Sequence, residues 1–245
     1  MKQIIITILC LIAVGRVDAQ NPSPQRKNTI KIDLTSRFLY RNAFILSYER
    51  ITKPNQSLVL SAGYQEFPKV TTFAQNVGVK DDLKKNGFKF GMDYRFYLKK
   101  ENKYDAPHGV YIGPYFTYHH FGNERIIEVD NDGTIEQADL DTKFSILNVG
   151  IQLGYQFVIH NRWTIDLAFV GPSVSHYKYT LNIGGDYTFN KDDIENEIIL
   201  DLLDRFPFLD DAISNKEATS SGKLDTWSFG YRYQFTVGYH FGRKK

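Results

Sequence analysis

The chain has 245 residues, a mean hydropathy of −0.37, a formal net charge of +2 and a single cysteine, Cys10. A charge this close to neutral removes the electrostatic argument for a nucleic-acid partner, and one cysteine excludes a disulfide framework. Aromatic residues make up 15% of the chain, with 16 Tyr and 18 Phe, a composition expected where aromatic side chains ring a bilayer interface.

Residues 1–19 read as a secretory signal. Lys2 supplies the positive start, residues 4–14 the apolar core, and Val17-Asp18-Ala19 resembles a small-residue cleavage site before Gln20. The apolar run is too short to cross a bilayer as a helix. Leu9 stands before Cys10 where a lipoprotein signal carries a small residue, so an ordinary cleaved signal is expected. Cleavage would remove Lys2, Arg16 and Asp18, taking the net charge from +2 to +1, and would remove the only thiol. Residues 20–28 are then a periplasmic tail and residues 29–245 a single domain.

Eight segments with period-two alternation follow, each with an apolar and a polar face. The first covers residues 29–40, with Ile30, Ile32 and Leu34 on one face; the second, 42–51, has Phe44, Leu46 and Tyr48. The third, 57–67, carries Leu58, Leu60, Ala62 and Tyr64, and the fourth, 88–98, alternates strictly from Phe88 through Phe90, Met92, Tyr94 and Phe96 to Leu98. In the fifth, 109–121, both faces carry aromatics. The sixth, 144–159, has Leu147, Val149, Ile151, Leu153, Tyr155 and Phe157. The seventh, 163–181, has Trp163, Ile165, Leu167 and Phe169, and Gly171-Pro172 predicts a bulge in it, since proline cannot donate to a ladder. The eighth is the strongest: Trp227, Phe229, Tyr231, Tyr233, Phe235, Val237, Tyr239 and Phe241 recur without a break. That exceeds the usual strand of roughly 5–6 residues and suits a lipid-facing strand of about 9–11.

The connections alternate in length. Residues 52–56, 99–108 and 160–162 are short, whereas 68–87, 122–143 and 182–225 are long and polar. This is the asymmetry of periplasmic turns and outer loops in an outer-membrane barrel; the connection near Arg41 is a tight exception. The pattern predicts an all-β fold: an eight-stranded, antiparallel, up-and-down transmembrane β-barrel with long outer loops, the last containing a short helix. Its lumen would carry Lys31, Arg37, Lys89, Arg95 and Arg232 against Asp33, Glu49, Asp93 and Asp166. Eight strands leave an interior that side chains just fill, and buried charges there must pair, so a packed ion-pair network is expected in preference to a channel.

Three smaller features carry chemistry. Glu128, Asp130, Asp132, Gly133, Glu136 and Asp139 approximate a calcium loop, with Glu128 and Asp139 departing from its first and last ligands. Asp-Asn-Asp-Gly is also ordinary turn chemistry, and no metal or other cofactor is assigned. Residues 192–213 form an amphipathic stretch in which Ile194, Ile198, Ile199, Leu202 and Leu203 oppose Glu195, Glu197, Asp201 and Asp204, with Pro207 as its stop. It reads as a helix packed over the barrel mouth, or as an acidic patch that meets a partner. His119, His120 and His176 lie near the outer strand ends, with Ser173 and Ser175 close to His176. Outer-membrane acyl hydrolases and transferases use Ser and His near the outer leaflet, but spacing alone does not assemble a catalytic pair here, and no catalytic residue is assigned.

Three segments together, Gly109-Val-Tyr111-Ile-Gly113-Pro114-Tyr115, Leu153-Gly154-Tyr155-Gln156-Phe157 continuing through Arg162 to Ile165-Asp166-Leu167, and Gly171-Pro172, resemble an uncharacterised family of small outer-membrane barrels from Bacteroidetes-type bacteria, a domain of unknown function. The resemblance implies a signal peptide, a single barrel and the outer membrane, and carries no activity or catalytic residue. The expected role is that of a monomeric structural or surface-interaction protein. Its partners would be outer-membrane lipid and lipopolysaccharide, the assembly machinery reading the last strand up to Phe241, and an unknown ligand or protein at the outer loops. A lipid-modifying enzyme, a narrow channel and a lipocalin-like soluble barrel are the alternatives.

Overall fold

The computed structural model describes residues 26–67, 72–74, 77–131, 133–186, 188 and 223–242. The expected signal and the amphipathic stretch 192–213 lie outside these. In chain order the elements are β1 (Asn28–Asp33), α1 (Leu34–Leu39), β2 (Arg41–Lys53), β3 (Gln56–Glu66), β4 (Thr72–Ala74), β5 (Val77–Tyr97), β6 (Gly109–Asn131), β7 (Thr134–Ile159), β8 (Trp163–Val170), β9 (Pro172–Gly184), β10 (Lys223–Tyr231) and β11 (Gln234–Phe241).

The sheet closes on itself. β8 and β9 are two halves of one strand interrupted at Gly171, where the bulge was expected, and β10 and β11 are halves of another interrupted at Arg232 and Tyr233. Counted this way, eight strands pair antiparallel with their sequence neighbours, and β1 joins both β2 and β11 to complete the ring. Closure leaves no free edge along the joined strands. At one end the connections are short. In the three-residue connection 160–162, His160 and Asn161 take positive φ of 50° and 55°, and the Arg162 N–H closes the turn on the Ile159 carbonyl at 3.0 Å.

The faces follow the alternation. Phe90, Met92, Val149, Ile151, Trp163, Phe169, Phe229 and Tyr233 all point outward and are exposed, Phe229 to 67%. Lys31, Glu49, Arg95, Gln156, Thr164 and Asp166 alternate with them and are buried within the ring. In β6, where both faces carry aromatics, Tyr111 and Tyr115 face in while Ile112 and Phe116 face out.

Two expectations are corrected. The first segment is not strand throughout. It leaves the extended conformation at Asp33, whose Oδ1 accepts the Ser36 backbone N–H at 3.0 Å and caps α1. Arg37 therefore lies exposed on the outside and leaves the lumen set. Nor is 122–143 a loop, and of the expected loop 68–87 the residues from Val77 on belong to β5. β6 runs on to Asn131 and β7 starts at Thr134, so the two form a long hairpin rising beyond the ring.

Along that extension the chemistry of the two faces inverts while the register continues. Within the ring, outward positions of β6, β7 and β9 are apolar, as at Ile112, Val149 and Val174. Beyond it, outward positions hold Glu124, Glu128, Asp139, Asp141 and Asn182, and inward positions hold Ile127, Val129, Leu140, Leu181 and Ile183, all buried. The exchange occurs at one row of cross-strand partners, Phe88, His120, Ser145, Lys178 and Asp225.

Candidate functional site: the barrel interior

The interior holds one continuous polar chain. Near the short-turn end Lys31 Nζ donates to Gln156 Oε1 and Asp166 Oδ2, each at 2.7 Å, and lies 2.7 Å from Glu49 Oε2. Arg95 meets the same acids, Nη1 reaching Asp166 Oδ2 at 2.6 Å and standing 3.8 Å from Glu49 Oε1. Ser57 and Tyr97 hydroxyls donate to Glu49 Oε1 at 2.6 and 2.9 Å, and the Tyr111 hydroxyl donates to Asp166 Oδ1 at 2.7 Å. The Tyr111 ring also receives the Arg95 guanidinium at 4.2 Å from its centroid, a cation–π contact on the face of the cation.

From Arg95 the chain passes upward through Asp93, 3.4 Å from Nη2. Arg232 clamps Asp93 with two parallel bonds of 2.8 Å, the planar fork that arginine supplies and lysine cannot. Gln234 accepts from Arg232 at 2.5 Å and donates to Asp33 Oδ2 at 2.9 Å. Asp33 Oδ2 also receives Lys89 Nζ and the Ser36 hydroxyl, both at 2.8 Å. Four cations, Lys31, Lys89, Arg95 and Arg232, thus meet four anions, Asp33, Glu49, Asp93 and Asp166. The network is packed and balanced, as expected, and the departure of Arg37 makes the balance closer.

A glycine makes room for it. Tyr111 pairs with Gly154 across β6 and β7, and a Cβ on Gly154 would lie 2.4 Å from the Tyr111 ring carbon Cζ and hydroxyl and 2.6 Å from the Leu167 carbonyl oxygen. Gly154→Ala is expected to destabilise the fold by about 1–3 kcal/mol through overpacking. Urea unfolding of the two proteins side by side checks this, and an unchanged midpoint would mean that Tyr111 does not lie against Gly154.

Toward the extended end the four-acid network gives way to a cluster of aromatic rings, with Asn123 and Arg125 buried beyond it. Tyr40 packs on Phe121 (5.4 Å between centroids), Phe121 on Phe67 (5.3 Å), and Phe67 on Phe144 (5.8 Å). Phe144 continues to Tyr177 at 6.4 Å, and Ala43 and Ile45 of β2 are buried at this level.

The smaller features separate. Ser173 and Ser175 face inward, bonding to each other at 3.1 Å, while His176 faces outward and meets Asp225 at 2.5 Å. They stand on opposite faces of one strand, so the Ser–His pair suggested by their spacing does not assemble. His119 faces in, its Nδ1 2.9 Å from Gln65 Nε2. His120 faces out, its Nδ1 2.9 Å from Ser145 Oγ, a cross-strand pair of the kind worth roughly 0.2–1 kcal/mol. Alternation alone does not reveal it, because the register between two distant segments decides it. Of the calcium-loop residues Asp132 lies outside the described ones; the others lie along the β6–β7 hairpin, where Glu128 opposes Gln137 and Asp130 Oδ1 accepts the Gly133 N–H at 2.8 Å. That is turn chemistry, and the ladder spreads the carboxylates along the strands and does not wrap them round a centre.

A family model described as "Protein of unknown function (DUF3575)" matches residues 5–193. The chain belongs to this family. No curated protein and no solved structure matches it. In this DUF3575 member the match includes seven of the eight strands and every member of the polar network except Arg232 and Gln234, which β10 and β11 bring in from beyond it.

Proposed function

We propose that this protein is a small outer-membrane barrel of a Gram-negative bacterium, delivered by a cleaved signal, with a structural or surface-interaction role. The observation that carries this reading is the exchange of faces along β6, β7 and β9. One uninterrupted strand, β7, presents apolar residues outward up to Ser145 and, apart from Ile135 near the hairpin tip, charged or polar ones beyond it. This pattern supports a change of surroundings from hydrocarbon to water along the strand. The extension, with Lys80–Glu128 and Lys84–Glu124 pairs on its outer face at 3.4 and 3.6 Å, would stand in water and present the surface available to a partner. Outer-leaflet lipid would surround the belt, and assembly machinery would read the aromatic register that ends at Phe241. The neutral, filled lumen supports a wall-forming role over conduction.

Heat-modifiable migration tests this. The mature chain refolded in detergent or lipid vesicles is expected to migrate faster unheated than boiled, and to need detergent or lipid to fold. A soluble monomer that folds without either would overturn the membrane reading.

A further inference from the structure

The ring is closed by strand pairing along only part of its height. β1 pairs with β11 as far as Asp33 opposite Thr236, and with β2 as far as Ile32 opposite Leu46. Beyond those positions the gap between β2 and the last strand is filled by α1, which is tied to β11 by the Phe235 N–H donating to Thr35 Oγ1 at 2.7 Å. Both neighbours are irregular there. The last strand breaks at Arg232 and Tyr233, and β2 carries a register shift between Arg41 and Phe44, with Asn42 at a φ of +48°.

Apolar surface lies on both sides of this helix. Phe38 is 83% exposed outside it, between Phe44 and Tyr233, which also face out. Inside it begins the ring cluster of Tyr40 and Phe121. The helix is held by one carboxylate: Asp33 receives the Ser36 N–H and hydroxyl, Lys89 and Gln234.

We propose that α1 is a side door in the wall, latched by Asp33, that admits one hydrocarbon chain of a bilayer lipid into the aromatic upper interior. The proposal rests on the bilayer reading above. The occupant follows from continuity: the seam is flanked by outward Phe44 and Tyr233, and apolar surface runs from Phe38 outside to Tyr40 and Phe121 inside. The cations of the network below are already paired, so they do not recruit an anion. Opening requires neither strand exchange nor loss of the lower ladder, because a helix shares no ladder hydrogen bonds with its neighbours.

The test is photolabelling of the folded full chain in phosphatidylcholine vesicles that contain a phospholipid with a diazirine in its acyl chain, with adducts mapped by peptide mass spectrometry. Adducts are expected at outward Val149 and Phe229 and also at inward Tyr40 or Phe121. Asp33→Asn should raise the inward adducts several-fold and leave the outward ones unchanged. Ser36→Ala, which removes only one bond of the latch, should give a smaller rise. Outward adducts with inward ones at background in all three proteins overturn the door. If the outward positions are also unlabelled, the bilayer reading itself fails.

Discussion

Replacing Arg95 with methionine is expected to lower the unfolding free energy by roughly 3–5 kcal/mol, the cost of leaving buried charge without its partner. Arg95 is only 2% exposed and stands between three acids, 2.6 Å from Asp166, 3.4 Å from Asp93 and 3.8 Å from Glu49. Methionine keeps the volume and removes the charge, so the four acids of the network would face three cations in a buried space. Urea unfolding from lipid vesicles, followed by tryptophan fluorescence, measures the difference. The control is Lys84→Met on the extension. Its partner Glu124 lies 3.6 Å away and both side chains are more than half exposed, so the change should stay within about 1 kcal/mol. Equal effects at the two positions would mean that the lumen is wet and the network weak.

Phe235→Arg is expected to cost about 2–4 kcal/mol, the penalty for a cation near the bilayer midplane. Phe235 faces out from β11 opposite Leu167 of β8, in the middle of the longest run of outward aromatics. Ile135→Arg provides the contrast. Ile135 is 67% exposed near the tip of the β6–β7 hairpin, on the far side of the row where the faces exchange. Its replacement should leave the folded fraction in lipid almost unchanged. A Phe235→Arg protein that folds in lipid with undiminished yield would count against that position facing hydrocarbon.

Where alternation ran unbroken, residues alone placed the side chains. The outward set from Trp227 to Phe241 and the strict series from Phe88 to Phe96 stand where period two puts them, and eight of the nine charges assigned to the lumen point into it. The misses have physical causes. Asp33-Leu-Thr-Ser36 contains a capping residue followed by a bonded hydroxyl, a helix start, but it sits in a run whose apolar residues also fit a strand. Only the missing ladder on both sides tells them apart. Residues 122–143 looked like a loop because they are rich in charge. Ile127, Val129, Ala138 and Leu140 do alternate there, and Asn131-Asp132-Gly133 is a hairpin turn signal, but their apolar face points inward where that of the lower strands points outward. The apolar residues of these strands change sides along their length, so a single inside–outside assignment does not extend to 122–143. The polar network was foreseeable as a set of charges. Its connectivity was not, since Arg232 and Asp93 are separated by 139 positions in sequence.

That separation bears on how the molecule assembles. The polar chain takes Lys31 and Asp33 from the first strand, Arg232 and Gln234 from the last, and the rest from strands between. A partly built sheet would leave several ions uncompensated at an open edge, so intermediates are penalised until the two ends of the chain meet. Insertion and circularisation should then behave as one kinetic event, with a slow, highly non-local transition state and no persistent half-barrel.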